Sequence, residues 1–278
     1  MDRGPQRIVC LTEETTEWLY MLGQEHRIVG ISGYTVRPPR ARAEKPKISA
    51  FTTAKIDKIM ALEPDCVLGF SDLQADIAAS LIRRGVQVTV FNQRSIEQIL
   101  SMMVQVAAIV GQVERGAVIL AEISASMRAV EAQSRDMDRH GIARPVVFFE
   151  EWDDPHISAI QWVSELISIA GGTDCFAELG KKAMGRDRII ADDAEIILRN
   201  PDVIIGSWCG KKFRADTVAA RTGWDTVSAV RNQQLFEIKS PDILQPGPAA
   251  LTDGLRQLHA VIDRWRRRPD RRTESASF

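Results

Sequence analysis

Residues 150–156 read EEWDDPH, which sets Glu150, Glu151, Asp153 and Asp154 around a tryptophan and ends on a histidine. Three chemistries can use such a set. Carboxylates with an imidazole can ligate a divalent cation. Two carboxylates can share general acid–base work if a pocket shifts their pKa values. A tryptophan at the lip of a cleft can bury a flat ligand. A second acidic pair, Glu13 and Glu14, follows the apolar run RIVCL at 7–11. Acid–base work by Glu13, Glu14 or Glu151 requires a pocket that sequence does not display. Asp and Pro also gather in turns for backbone reasons, and Asp153 or Asp154 suits the start of the helix expected next, QWVSELISIAGG. The turn reading outweighs the metal and acid–base readings. No catalytic residue and no metal ligand is therefore assigned.

Other chemistries lack their residues. The chain has no GxGxxG, GxxxxGK[ST], GxSxG or HExxH. Its histidines are His26, His140, His156 and His259. Cys10, Cys66, Cys175 and Cys209 never approach CxxC spacing, which argues against a zinc knuckle or redox motif. Cys10 and Cys66 sit in strand-like runs and read as small buried hydrophobes. Net charge is −1, which disfavours nucleic acid as a partner. No window approaches the ~20 apolar residues of a membrane helix. MDRGPQRIVCLTEE resembles no signal peptide, so the expectation is a cytoplasmic protein, or a periplasmic one if a leader has been removed.

The elements that must position these residues alternate. RIVCL reads as a strand, TEETTEWLYMLG (12–23) as a helix, and RIVGIS (27–32) as a strand. Residues 33–47 form a proline-rich loop. TTAKIDKIMALEPD (52–65) reads as a helix and CVLGF (66–70) as a strand, then DLQADIAASLIRRG (72–85) as a helix and VQVTVF (86–91) as a strand. This order predicts a parallel sheet covered on both faces. IDKIMALEPDCVLG (56–69) resembles AEIILRNPDVIIG (194–206) at an offset of about half the chain, and the same offset carries the first strand onto PVVFF (145–149). Two similar α/β lobes follow. Between them, 112–138 is periodic enough for one helix about 40 Å long. The expected fold class is α/β, with two Rossmann-like lobes of parallel strands joined by one rigid helix. The expected boundaries are 7–111, 112–140 and 141–268, with a flexible basic tail at 269–278. RWRRRPDRR (264–272) reads as a solvated, frayed end.

Ligands of open α/β sheets bind beyond the carboxyl ends of the strands. Those positions carry Glu13, Glu14, Tyr34, Phe51, Phe70, Trp152 and Trp208. Large aromatics there suit a bulky, flat, partly apolar ligand in a cleft between the lobes. Trp162, Leu166 and Ile169 lie at helical spacing and read as a packing stripe, although Trp162 is near the lip.

RIVCLTEETTEWLYMLGQEHRIVGISGY, KIDKIMALEPDCVLGF, EEWDDPHISAIQWVSELISIAGG and DVIIGSWCG together resemble the helical-backbone solute-binding proteins of ABC importers, over roughly 7–265. The last two segments are most similar to members that bind cobalamin. The resemblance implies a non-enzymatic, monomeric protein with cobalamin or a similar metal chelate as ligand and no catalytic cofactor. Siderophore or haem binding, and a corrinoid-handling factor or enzyme on the same fold, are the alternatives. It implies contacts from Glu13, Glu14, Tyr34, Phe51, Phe70, Trp152, Gln161, Trp162 and Trp208. An ABC permease is the implied partner, but its usual docking acids are not evident. LQADIAA offers Asp76, and CGKKFRAD offers Lys211, Lys212 and Arg214, a basic patch.

Overall fold

The computed structural model describes residues 4–268. The chain divides into two compact units, Met1–Glu122 with Gln245–Ala249, and Ile123–Leu244 with Ala250–Phe278. In the first, β1 (Ile8–Cys10), β2 (Ile28–Ser32), β3 (Lys47–Ser49), β4 (Cys66–Phe70) and β5 (Gln87–Phe91) form a sheet of order β3-β2-β1-β4-β5. Every pairing is parallel. The β1 and β4 strands are buried at every position, which is why they read as unbroken apolar runs rather than alternating ones. Val9, Leu11, Ile59, Val67 and Leu81 share one buried cluster.

Two local expectations change in this unit. The proline-rich loop contains a short helix at Ala41–Glu44 and leads into β3, the edge strand. The helix expected over 52–65 shrinks to Ile56–Met60. An antiparallel bridge between Ser49 and Ala54 keeps the chain extended before it.

The second unit contains β6 (Val146–Asp153), β7 (His156–Ser158), β8 (Thr173–Asp174), β9 (Val203–Gly206) and β10 (Leu235–Glu237). The path is β10-β9-β6-β7, with β8 also on β6. All pairs are parallel except β6–β7, a hairpin. The acidic stretch therefore does not turn directly into a helix. It continues as strand to Asp153, reverses at Asp154–Pro155 and returns along β7. The following helix, Gln161–Ala170, has Ile160 at its N-cap with no side-chain cap, so neither Asp153 nor Asp154 starts it.

The repeated Pro-Asp has one physical task in both units. Asp65 accepts the backbone N–H of Gln6 at 2.7 Å and of Arg7 at 2.9 Å, at the entry to β1. Asp202 accepts the N–H of Val146 at 2.9 Å, at the entry to β6. Each aspartate fixes the start of its neighbouring strand by satisfying backbone donors.

A 27-residue helix spans Val113–Arg139, as the periodicity predicts. The division between units falls inside it, after Glu122. A separate helix, Ile96–Ile109, precedes it. Gly111, in the break, has φ +69°, a conformation that glycine adopts at little cost.

The end of the described chain is not frayed. Trp265 and Arg266 are buried in the helix Leu255–Arg266. Arg266 donates to the Asp138 carboxylate at 2.6 Å, to Ile142 O at 2.8 Å, and to Ser134 O and Oγ at 3.2 Å. Gly171, at φ +93°, leaves room for it; a Cβ there would lie 2.5 Å from the guanidinium. The basic tail expected at 269–278 lies outside the described residues. Among the described residues, no helix is long and apolar enough to cross a membrane.

Candidate functional site

The strand ends of the first unit bring together a buried acidic turn and an aromatic pair. Glu13 and Glu14 open the helix Glu13–Met21, where the N-terminal dipole favours acids. Both are nonetheless buried. Glu14 accepts the Thr12 hydroxyl at 2.6 Å through Oε1, while Oε2 of Glu14 and Oε2 of Glu13 are buried without a hydrogen-bond partner. Burial, reinforced by the Glu14 charge, pushes the Glu13 carboxyl up to about 8. Burial likewise pushes Glu14 up to about 7, against the lowering effect of the Thr12 hydroxyl. Glu17, one turn on, is paired with Arg37 at 2.8 Å.

Gln74 holds the lip. It is fully buried, accepts Phe70 N–H at 2.9 Å and donates to Phe51 O at 2.8 Å. Phe51 and Phe70 lie 6.3 Å apart, and the Arg94 guanidinium sits 4.7 Å from the Phe70 ring centre. Tyr34 is 57 % exposed and points away from any core. Sequence reading found the aromatics and missed Gln74. Its position four residues after Phe70 was the available signal.

In the second unit three of the four acids of the opening stretch, Glu150, Glu151 and Asp153, have a cation brought from elsewhere in the chain, while Asp154 is exposed. Glu150 is fully buried on β6. Its carboxylate accepts Arg221 through both oxygens, at 2.7 and 3.1 Å. It also accepts the Trp208 indole N–H at 3.1 Å and lies 2.7 Å from His156 Nδ1. The other nitrogen of His156 lies 3.1 Å from Asp193. Glu151 pairs with buried Arg188 at 2.7 and 3.0 Å. Asp153 pairs with Lys211. Unpaired, these charges could not be buried on one strand. Among the described residues, no group of three or more His, Cys, Asp or Glu is arranged to hold a metal ion.

These pairings relocate several expected site residues. Trp208 is only 4 % exposed and packs against Phe213, with ring centres 5.0 Å apart and planes tilted by 58°. Trp162 is buried too, and its indole N–H donates to Ile243 O at 2.9 Å, in keeping with the packing stripe. Gln161 donates to Glu165 at 2.9 Å. Trp152 stays half-buried at the end of β6, its N–H given to Asp154 O at 2.8 Å. The basic patch of the second unit is exposed at Lys211, Lys212 and Arg214, and two of its cations have partners: Lys211 lies over the Trp152 and Trp208 rings, 5.7 and 5.1 Å from their centres, and Arg214 pairs with Asp216 at 2.9 Å. Asp76, in the first turn of the helix Ala75–Arg83, is exposed.

Two α/β units, a long helix that the division between them crosses and parallel strands with aromatics at their ends are the architecture of a solute-binding protein. The chain belongs to the periplasmic binding protein family, whose model matches residues 8–241. It is 21 % identical over 267 residues to an uncharacterized ABC transporter substrate-binding lipoprotein of Bacillus subtilis, covering 94 % of this chain and 81 % of that one. It is similar in fold to the periplasmic vitamin B12-binding protein of Vibrio cholerae, with a TM-score of 0.75 and 20 % identity over 95 % of this chain and 99 % of that one. A periplasmic heme-binding protein from Pseudomonas aeruginosa gives a TM-score of 0.78 and 18 % identity, over 93 % and 92 % of the two chains.

Proposed function

We propose that this chain is the solute-binding component of an ABC importer, and that its ligand is a broad, flat metal chelate, with cobalamin first. The observation that carries this reading is the pair Trp152 and Trp208. They stand at the carboxyl ends of neighbouring parallel strands, β6 and β9, on a scaffold where Glu150, Glu151 and Asp153 are each paired with a cation of the same unit. Trp152, half-buried at that rim, gives a plate-like ligand an apolar face at small entropic cost, and Trp208, 4 % exposed in the cluster on which Trp152 packs, backs it. The protein does no chemistry on the ligand in this reading; affinity comes from burial and preorganisation. In the first unit the reading assigns aromatic contact to Tyr34, Phe51 and Phe70 and polar contact to Glu13 and Glu14; in the second it assigns polar contact to Gln161. The relatives named for vitamin B12 support cobalamin as the first ligand to try, and those named for heme support haem as the second. Ferric siderophores are third, because they favour clefts with several open Arg or Lys. A permease would meet exposed Asp76 on the first unit.

The test is a tryptophan-fluorescence titration with cyanocobalamin, corrected for ligand absorption, with haem and a ferric siderophore as competitors. Trp152→Ala and Trp208→Phe are run alongside; the phenylalanine keeps the buried site filled. Saturable binding at micromolar concentration or tighter, weakened about tenfold by Trp152→Ala, supports the reading. Haem binding without cobalamin binding moves the ligand to haem. No binding of any of the three by the folded protein overturns it.

A further inference from the structure

We infer that Lys211 is the residue that sets specificity between acid-bearing and amide-bearing flat ligands at Trp152 and Trp208. The inference rests on the reading of those two indoles as ligand contacts. Its ground is the place of the Lys211 ammonium. That group lies within cation–π distance of both rings at once, 5.1 Å from the Trp208 centre and 5.7 Å from the Trp152 centre. It is also paired with Asp153, on the same β6 strand as Trp152. Lys211 is half exposed while Asp153 is 13 % exposed, so the lysine is the part of the pair with freedom to move. Trp152 is half-buried and Trp208 is 4 % exposed with the ammonium over it, so a plate that seats on these rings must take the position that the ammonium now occupies.

What happens to the displaced charge then depends on the ligand's rim. A carboxylate on the rim gives the ammonium a new partner of full opposite charge, and Lys211 remains paired as the plate seats. An amide arm gives one neutral acceptor in exchange for two ring faces, a weaker replacement. Lys212 is exposed beside it, but the ammonium over the two rings is that of Lys211. Arg188 and Arg221 are held by Glu151 and Glu150 inside the unit, and Arg214 is held by Asp216. Lys211 therefore acts as a cap that acid-bearing ligands exchange easily and neutral ones displace at a cost. Specificity of this kind needs an element that works against the wrong ligand as well as for the right one.

The test compares two plates whose rims differ. Dicyano-haem carries two propionates, and its iron is already saturated, so it reports charge and stacking rather than ligation. Cyanocobalamin carries amides. Each is titrated into the wild type, Lys211→Met, which keeps the bulk and loses the charge, and Lys211→Arg, which restores it. The expected result is that Lys211→Met weakens dicyano-haem about tenfold and tightens cyanocobalamin about threefold, with Lys211→Arg returning the haem value towards wild type. A change of the same factor for both ligands overturns the inference and leaves the proposed function standing. Binding of neither plate by the folded wild type overturns both. Tryptophan emission of the ligand-free proteins gives an independent check of the contact: removal of the ammonium from the ring faces changes the emission, and an unchanged spectrum in Lys211→Met also overturns the inference.

Discussion

The Glu150 carboxylate and the Arg221 guanidinium meet end-on in the second unit, Oε1 to one terminal nitrogen at 2.7 Å and Oε2 to the other at 3.1 Å, with the carboxylate wholly out of solvent. Glu150 also fixes the Trp208 indole, and Arg221 stacks 4.5 Å from the Trp224 ring centre. Removing one partner strands the other as a buried charge. Arg221→Ala and Glu150→Ala are each expected to cost about 3–5 kcal/mol. The double replacement Glu150→Met with Arg221→Leu is expected to cost much less than the sum. Urea denaturation of the two singles and the double measures this, and an additive result would show that the two side chains are not coupled.

The acidic turn of the first unit predicts a pH dependence. Glu13 and Glu14 sit at about 8 and about 7 in the folded protein, against 4.5 for an unhindered glutamate. The folded state therefore keeps protons that the unfolded chain has released. Stability contributed by these groups is highest below about 4.5 and falls as pH rises to about 8. Every tenfold difference in proton affinity between the two states is worth about 1.4 kcal/mol. Glu13→Gln and Glu14→Gln should each flatten the fall between pH 5 and 8 and leave the mutants more stable than wild type at the alkaline end. Denaturation midpoints across that range decide it, and parallel curves for wild type and mutants would refute it.

Gly206, the last residue of β9, has no room for a side chain. A Cβ there would lie 1.9 Å from the Phe213 ring, which packs on Trp208. Gly206→Ala is expected to displace Phe213, destabilise the protein by about 1–3 kcal/mol and alter Trp208 emission. Thermal denaturation and the emission spectrum measure both effects, and an unchanged spectrum would mean that the ring is not held there.

Arg266 predicts that the last described helix is part of the structure. With its bonds to Asp138, Ile142 and Ser134 lost, Arg266→Ala should cost about 3–5 kcal/mol, and Arg266→Lys should recover only part, since one ammonium cannot span three acceptors in fork geometry. Urea denaturation of the two variants would show it. A neutral result would place the helix end back in solvent.

The order of elements was legible because it rests on local signals. Buried parallel strands read as apolar runs, helices stop at Gly23, Gly85 and Gly171, and both Pro-Asp units share a capping task that demands the same residues twice. Three features escaped local reading. The β6–β7 hairpin looked like a strand–turn–helix because Asp and Pro suit either. The edge strand β3 hid in a polar segment because Lys47 and Ser49 face no core on one side. Trp265 and Arg266 looked like a frayed end because the partners of Arg266 are more than a hundred residues away in sequence.

The candidate site divides in the same way. The residue types at the strand ends were fixed by the sequence itself: a parallel sheet places the residues after each strand on one rim, so Phe51, Phe70, Trp152 and Trp208 could be picked out without coordinates. Which of them stays open was decided only by the tertiary structure. Burial of Glu150 as a charged group depends on a cation arriving from a distant segment, and Arg188, Arg221 and Lys211 reach the acids of β6 from 37 to 71 residues away. Glu150 is thereby the buried hub that holds the Trp208 indole, Lys211 lies over both indoles at the edge of the exposed basic patch, and Trp152 is left half-buried at the rim.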